Sequence, residues 1–301
     1  MLRISTISFP GLGIGEFSVN SEAFSIFGVS IAWYALIITC GMIATVFYVI
    51  NTSKKIGITS EDVIDFALFT IPIGIVGARL YYVLTTLDSY HSFLDVINIR
   101  NGGLAIYGGI IAGGITVLCV CLYKKIYFPA FADCVAPGVL LAQGIGRWGN
   151  FMNGEAFGYE CDWFCRMGLN NALTGFKYME VHPTFLYESL WNILGFVLVN
   201  LYAKYLHKKY DGELFIMIFG WYGLGRMFIE GLRTDSLYST MFGIEFRTSQ
   251  VLAAVIFSIC AAALIVFGFI RKPTRQFYHK PEKTEVAAKP EKSKKDKKED
   301  K

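Results

Sequence analysis

Residues 24–50 decide the fold: they read FSIFGVSIAWYALIITCGMIATVFYVI and contain no charged side chain. As a helix rising 1.5 Å per residue, this stretch is about 40 Å long, enough to cross a hydrocarbon core of about 30 Å with some tilt. It is too long for the core of a signal peptide, and no small-residue cleavage site precedes it. We therefore expect this helix to remain in the mature protein as a first membrane span.

Further apolar windows of about 20 residues, each long enough for a spanning helix, lie at residues 66–86, 103–123, 128–151, 183–203, 213–231 and 249–270. The composition agrees, with 54% hydrophobic and only 17% charged residues and a mean hydropathy of +0.45. The sequence thus predicts an all-α polytopic membrane protein with seven transmembrane helices, and it excludes disorder for most of the chain.

The charge is unevenly distributed along the chain. Residues 271–301 hold 12 Lys/Arg against 6 Asp/Glu and almost no apolar side chains. We predict two parts: a seven-helix transmembrane domain over residues 1–270 and a disordered basic tail over 271–301. Binding of the tail to anionic lipid is one role for it, whereas nucleic-acid binding is the weaker interpretation.

The basic residues between the spans predict the orientation. The loops on one side carry Lys54, Lys55, Lys124, Lys125, Lys204, Lys208 and Lys209, together with the tail. The other side carries only Arg3, Arg100, Arg166, Lys177, Arg233 and Arg247. By the positive-inside rule, we expect the N-terminus outside and the C-terminus in the cytoplasm.

Three arginines, Arg79, Arg147 and Arg226, fall inside predicted spans. A charged side chain in hydrocarbon costs about 2.5 to 3.5 kcal/mol on insertion scales, so it indicates a functional site by default. Snorkelling to the interface is the alternative for Arg147 and Arg226, which lie roughly 6 to 8 Å below the outer ends of their spans. All three lie in the outer half of the bilayer, and this common depth favours a shared site.

Polar groups accompany Arg226 on its helix. Tyr222, Arg226 and Glu230 are spaced four residues apart and therefore lie on one helix face. The alternative to a site is a buried Arg226–Glu230 pair that only neutralises itself.

Polar groups are densest in residues 144–155, which read GIGRWGNFMNGE. This stretch contains G-x-G-x-x-G, but it follows an apolar helix rather than a strand, so we reject a dinucleotide site. Asn150, Asn153 and Glu155 follow Arg147 within eight residues. Helix packing alone does not require such a group of donors and acceptors.

The seven cysteines indicate little about chemistry. Five of them lie in apolar spans, where a thiol usually acts as a small hydrophobe, and only Cys161 and Cys165 share an outer loop. Those two are either bridged or free. No His/Cys/carboxylate set has zinc spacing, and we expect neither a metal nor a cofactor.

These motifs resemble the bacterial prolipoprotein diacylglyceryl transferase family. The main match is Gly146-Arg147-x-Gly149-Asn150-Phe151-x-Asn153-x-Glu155-x-x-Gly158. Further matches follow the order of the family: Trp33-Tyr34, Gly77-Ala78-Arg79, GGLAIYGG at 102–109, His182-Pro183-Thr184 with Tyr187-Glu188, and Tyr222, Arg226 and Glu230. The resemblance covers residues 33–230.

The resemblance implies a seven-helix enzyme that moves the diacylglyceryl group of phosphatidylglycerol to the lipobox cysteine of a prolipoprotein signal peptide and releases glycerol 1-phosphate. It also implies a multi-pass protein of the bacterial cytoplasmic (inner) membrane, with its catalytic domain within residues 1–270 and its site facing the outer leaflet. We expect it to be a monomer that does not bind nucleic acid.

By the same resemblance, the catalytic residues are Arg147, Arg226 and Tyr107. The guanidinium forks of the two arginines suit phosphate oxygens. The residues expected to bind substrate are Tyr34, near mid-membrane in the first span, with Arg79, Asn150, Asn153, Glu155, Gly158, His182, Tyr222 and Glu230.

Tyr107 departs from the family pattern, because several members have there the histidine proposed as general base. Tyrosine has a reference pKa of about 10 and is a poor base near neutrality unless arginines stabilise its phenolate. Either Tyr107 acts with an arginine, or it only binds substrate and the thiol loses its proton to water or Glu155.

Two other classes of function compete with the transferase. A seven-helix transporter of an anionic solute requires charge along a path, yet the cytoplasmic halves of the predicted spans are almost purely apolar. A non-catalytic phospholipid-binding scaffold would keep the arginines but tolerate loss of Tyr107 and Glu155.

Overall fold

The structure is a computed structural model that describes residues 4–90, 92–98, 102–236, 238–241, 244–270 and 277–281. Its helices are α1 (Trp33–Ser53), α2 (Ser60–Thr85), α3 (Phe93–Ile97), α4 (Ile106–Lys124), α5 (Phe128–Asn153), α6 (Thr184–Leu201), α7 (Glu213–Ile229) and α8 (Thr248–Ile265). Its strands are β1 (Ile4–Phe9), β2 (Ile14–Asn20), β3 (Glu22–Ile26), β4 (Val29–Ala32), β5 (Met167–Asn170), β6 (Met179–Val181), β7 (Tyr238–Met241) and β8 (Ile244–Arg247).

Within the described residues, six helices are long and apolar enough to cross a membrane: Trp33–Ile56, Ser60–Thr85, Ile106–Lys124, Phe128–Asn153, Thr184–Leu206 and Thr248–Gly268. The chain is therefore a mostly helical, multi-pass membrane protein. The predicted span at 213–231 coincides with α7, which has 17 residues and is about 25 Å long at 1.5 Å per residue. That it is a seventh span remains a prediction.

The prediction of an all-α protein was wrong, and so was the start of the first span. Residues 22–32 form an antiparallel hairpin of β3 and β4, and α1 begins only at Trp33. Phe27 and Gly28 at its tip both have positive φ, 49° and 77°, as a two-residue hairpin turn requires. Phe24-Ser25-Ile26 and Val29-Ser30-Ile31 alternate apolar and polar residues as strands do, but each run is too short for its periodicity to separate a strand from a helix.

A four-stranded antiparallel sheet with strand order β2-β1-β5-β6 closes one end of the helices. Ile7, Leu169 and Val181 are fully buried between this sheet and the helix ends, where Phe151 and Phe185 pack against them. We call this the strand end. The opposite end, with the connections at 54–59, 125–127 and 207–212, is called the lysine end.

The helices form two groups. α5 packs against α1, α6 and α7, and α8 packs on α7; these five helices are called the helical body. α2 and α4 pack mainly on each other and are called the α2–α4 pair. The pair is close because glycines face glycines: a Cβ added at Gly108 would lie 2.3 Å from the carbonyl oxygen of Gly77.

Asp133, near the start of α5, fixes the start of α7. Its buried carboxylate accepts hydrogen bonds from the backbone N–H groups of Gly212 (2.9 Å) and Phe215 (3.0 Å) and from the Lys208 ammonium (3.0 Å). The first N–H groups of a helix have no partner within the helix, so this carboxylate caps α7 from a neighbouring helix.

We expect Gly108→Ala to lower the thermal stability of the detergent-purified protein, because the added methyl group meets the backbone of Gly77 and separates α2 from α4. Overpacking of this kind typically costs about 1 to 3 kcal/mol. Gly114→Ala is the matched control, since nothing lies within 4 Å of a Cβ there and alanine favours a helix. Equal melting temperatures for the two variants would contradict this packing.

Candidate active site

One carboxylate, that of Glu188 in the second turn of α6, joins three arginines. It pairs with Arg147 on α5 through Oε2, and through Oε1 with Arg226 on α7 at 3.1 Å and with Arg233 at 3.3 Å. Glu188 is only 5% exposed. In such surroundings an unpaired charge is costly, so each of these groups needs the others.

Two further carboxylates balance the cluster. Arg226 pairs with Glu230 at 2.6 Å, and Arg233 makes a bidentate pair with Asp235 at 2.8 and 2.7 Å. Burial raises the pKa of Asp235, but the hydrogen bonds and the positive charge of Arg233 together outweigh burial and hold that pKa below its usual range. Of the three arginines, Arg147 has the most exposed side chain, at 22%.

The end of α5 extends the cluster with amides. Arg147 donates to the Asn150 side-chain oxygen at 3.3 Å, while Asn150 and Asn153 both donate to Glu155 Oε1, at 3.2 and 2.9 Å. Glu155 folds back over the helix end because Gly154 adopts a left-handed conformation, φ 57°. The polar residues predicted from the motif thus form one continuous network.

Tyr34 lies beside this network, but not at mid-membrane as expected. It is the second residue of α1 because the preceding residues form the β3–β4 hairpin, which places it at the strand end. Its ring covers Gly149 on α5, where an added Cβ would lie 2.6 Å from the ring.

Gly158 and His182 connect the cluster to the sheet. The Gly158 N–H donates to the His182 carbonyl at 3.0 Å, and Gly158 forms a β-bridge with Arg233. The His182 ring lies 3.2 Å from the Tyr187 hydroxyl through Nδ1. Burial lowers the pKa of His182, which favours the neutral form of the ring. Both residues hold the loops around Arg233 in place.

Tyr222 lines a small cavity between α6 and α7, together with Glu188, Asn192 and Arg226. It therefore lies on the same side of α7 as Arg226, as the four-residue spacing predicted.

Cys161 and Cys165 are both free thiols, and Cys165 contacts the Tyr187 hydroxyl at 3.5 Å. Within the described ranges, no group of three or more His, Cys, Asp or Glu side chains is suited to holding a metal ion.

Arg79, predicted to bind substrate, makes its hydrogen bonds to the backbone of the connection between α2 and α4. Its guanidinium donates to five backbone carbonyls, those of Asp95, Val96, Asn98, Gly102 and Gly103, at 2.7 to 3.0 Å. Its five N–H groups are thereby engaged. In this arrangement Arg79 organises the connection between α2 and α4 and has no donor left for a ligand.

Tyr107 lies on the α2–α4 pair, in the first turn of α4, and is 37% exposed. Its ring is 6.5 Å from that of Tyr81 on α2. Among the described residues, no hydrogen bond joins its hydroxyl to Arg147 or Arg226. The described arrangement does not bring the third predicted catalytic residue into contact with the other two.

Glu188 and Arg233 were not among the site residues predicted from the sequence. Glu188 carried a usable signal: it lies inside the predicted span 183–203, and a carboxylate in hydrocarbon is as costly as an arginine. Arg233 carried none, because a basic residue in a loop is ordinary.

The fold and this cluster define a multi-pass membrane protein with an arginine-rich polar site between its helices at the strand end. A model of the prolipoprotein diacylglyceryl transferase family matches residues 21–267. This chain belongs to that family.

Relatives named phosphatidylglycerol–prolipoprotein diacylglyceryl transferase are similar over most of the chain. The protein of Enterococcus faecalis (strain ATCC 700802 / V583) is 42% identical over 268 residues, which cover 87% of this chain and 95% of the relative. The protein of Streptococcus pyogenes serotype M5 (strain Manfredo) is 43% identical over 269 residues, covering 86% and 96%. The protein named phosphatidylglycerol–prolipoprotein diacylglyceryl transferase 1 of Clostridium perfringens (strain 13 / Type A) is 42% identical over 258 residues, covering 82% and 95%.

We expect Glu188→Gln to destabilise the protein by about 3 kcal/mol or more, because it leaves one buried and two half-buried guanidinium groups without their common carboxylate. Chemical unfolding in detergent measures this loss. Glu180→Gln is the matched control: Glu180 pairs with Arg166 at a more exposed position, where an ion pair contributes about 0 to 1 kcal/mol. If both variants lose the same stability, Glu188 does not hold the cluster together.

Proposed function

We propose that this chain transfers the diacylglyceryl group of phosphatidylglycerol to the lipobox cysteine of prolipoproteins. The observation that carries the proposal is the Glu188 cluster, in which Arg147 remains the most exposed cation. Membership of the family supports the substrates, since the relatives named above carry both of them in their names. Transport and scaffold functions are alternative outcomes of the test below.

The reaction forms one bond and breaks one. The cysteine thiolate attacks the carbon of the diacylglyceryl group that bears the phosphate. The C–S bond forms at this carbon, and its C–O bond to the phosphate breaks. The electron pair leaves with the phosphate as glycerol 1-phosphate, while the thiol proton passes to a base. Such a displacement needs cations on the phosphate and a way to deprotonate the thiol.

Arg147 and Arg226 bind the phosphate and stabilise the leaving group in this proposal. Arg147 suits a ligand because Glu188 and Asn150, which hold it, are side chains that can shift. Glu188 and Glu230 aim Arg226 from either side. A phosphate entering here adds negative charge to a cluster with as many carboxylates as arginines, so it displaces Glu188 from one arginine rather than filling an empty site.

The remaining predicted residues surround the head group. Asn150, Asn153 and Glu155 hold the hydroxyls of the terminal glycerol, and Tyr34 lines the lipid path beside them. Tyr222 supports Arg226. Gly158 and His182 act through the loops they position, and Arg79 acts by shaping the connection between α2 and α4.

We further propose that the chain crosses the inner membrane seven times with the strand end outside. The lysines of the connections at the opposite end support this orientation. With α7 counted as a span, successive helices alternate in direction, so the starts of α1, α4, α6 and α8 all lie at the strand end. The cluster then faces the outer leaflet, where a secreted cysteine and a lipid head group meet.

Incubating the purified protein with phosphatidylglycerol and a lipobox peptide tests the activity. We expect mass spectrometry to detect a diacylglyceryl addition on the peptide cysteine. Arg147→Ala should reduce the initial rate at least a hundredfold, since it removes a charge that acts on the leaving group. Arg166→Ala, a change of the same type in the outer loop, should retain the rate. Absence of product from folded wild-type protein that still binds lipid would favour a scaffold or a transporter.

Tyr107 is proposed as the third catalytic residue, and its hydroxyl can be tested alone. We expect Tyr107→Phe to lower kcat at least tenfold with little change in KM for the lipid, as loss of a proton-transfer group does. Tyr81→Phe, at its ring neighbour, is the control. A Tyr107→Phe enzyme as active as wild type would remove the hydroxyl from the mechanism and leave water or Glu155 to accept the proton.

A further inference from the structure

The segment 277–281 crosses the lysine end and contacts all three connections there. The Lys280 N–H donates to the Ile56 carbonyl at 2.8 Å, and the Tyr278 hydroxyl donates to the Lys125 carbonyl at 3.2 Å. The Tyr278 N–H donates to Asp211 Oδ2 at 2.8 Å. Five residues of the predicted tail therefore lie against the folded chain; the other residues of 271–301 lie outside the described residues.

Charge complementarity accounts for where Lys280 lies. Asp62, at the start of α2, forms ion pairs with both Lys124 and Lys280, while Lys124 also pairs with Asp65. Two carboxylates facing one lysine leave a negative charge unbalanced, and Lys280 supplies the second cation. Acidic side chains at a membrane surface thus form a site for one more ammonium group.

A second acidic group receives the other half of the segment. Lys208 bridges Asp211 at 2.6 Å and Asp133 at 3.0 Å, which again leaves two carboxylates against one lysine. Here the additional partner is the backbone N–H of Tyr278, and Lys208 lies over the Phe277 ring at 5.4 Å. The nearby carboxylates, Asp133 foremost, hold the pKa of Lys208 above its usual value although burial opposes this.

The surface beneath the segment is shaped to fit it. A Cβ added at Gly57 would lie 2.7 Å from the His279 ring and 2.9 Å from the Lys280 carbonyl oxygen, and Gly57 has φ 75°. The Tyr278 ring packs on the apolar cluster of Ile58, Phe66 and Phe131 and lies 6.0 Å from the ring of Tyr127. Apolar contact, backbone hydrogen bonds and ion pairs therefore coincide along five residues.

The two acidic groups belong to different parts of the fold. Asp62 and Asp65 are on the α2–α4 pair, whereas Asp133 lies on the helical body and Asp211 in the connection between α6 and α7. The pair contacts the body mainly at the lysine end, where Phe66 of α2 stacks on Phe131 of α5 with ring centroids 4.0 Å apart, and elsewhere in the bundle it makes few contacts with α1 and α5. A segment that binds both groups at once limits how far the pair can move away from the body.

We propose that the acidic surface around Asp62 and Asp211 is a docking site for the chain's own segment 277–281, which clasps the α2–α4 pair to the helical body. The partner that fits this surface is an extended peptide with an aromatic residue two positions before a lysine. The proposal does not depend on the reaction that the protein catalyses.

Two shortened chains, one ending just after the segment and one ending before it, test the clasp. A chain ending at Pro281 keeps it, and a chain ending at Ile270 removes it. In detergent, we expect the melting temperature of the 1–281 protein to match that of the full chain and that of the 1–270 protein to be about 3 to 6 °C lower, a shift typical of losing a few contacts in a chain of this size. Amide hydrogen exchange should quicken in α2 and at the ends of α4 in the 1–270 protein alone.

A charge reversal separates the clasp from a general effect of shortening the chain. Lys280→Glu should reproduce most of the loss of stability, whereas the same change at Lys283 should not. Identical melting temperatures and exchange rates for the 1–270 and 1–281 proteins would overturn the proposal. A difference in melting temperature between these two proteins that appears only in vesicles containing anionic lipid would also overturn the proposal, because the segment would then bind lipid rather than the acidic surface.

Discussion

Glu188 carries one negative charge and binds three guanidinium groups, and the polar part of the protein depends on this sharing. Arg147 comes from α5, Arg226 from α7 and Arg233 from the connection that follows α7, while the carboxylate comes from α6. Each arginine alone would be costly in an apolar bundle. With Glu230 and Asp235, which pair with Arg226 and Arg233, they form a neutral, cross-linked unit that fixes how α5, α6 and α7 face one another.

The sheet at the strand end is the second constraint. The residues around Arg233 belong to loops, which on their own would not hold a guanidinium in place. Pairing of β1 with β5 and of β5 with β6 anchors the strand that ends just before His182, and the Gly158–Arg233 bridge extends this anchoring to the cluster. The site is thus built half from membrane helices and half from a small sheet.

Span positions were predictable from the sequence because an apolar window of about 20 residues is a local property. The network of Asn150, Asn153 and Glu155 was also predictable, since these residues are close in sequence at one helix end. The hairpin before Trp33 was not predictable, because the alternating runs on either side of Phe27-Gly28 are only three residues long and continue directly into a long apolar stretch. The role of Arg79 was not predictable either: depth along a helix does not reveal which neighbour the side chain faces, and here it faces loop carbonyls.

Arg79 and Arg147 show two ways of accommodating a cation in an apolar bundle, and the difference has a functional consequence. Arg79 is held by backbone carbonyls, which cannot move without unfolding the connection between α2 and α4. Arg147 is held by Glu188 and Asn150, side chains that can rotate toward their other partners when an anion arrives. Since Glu188 already has two more arginines to bind, releasing Arg147 leaves no buried charge unpaired. In the proposed reaction, the shared carboxylate therefore both stabilises the cluster and allows Arg147 to exchange its partner for a phosphate.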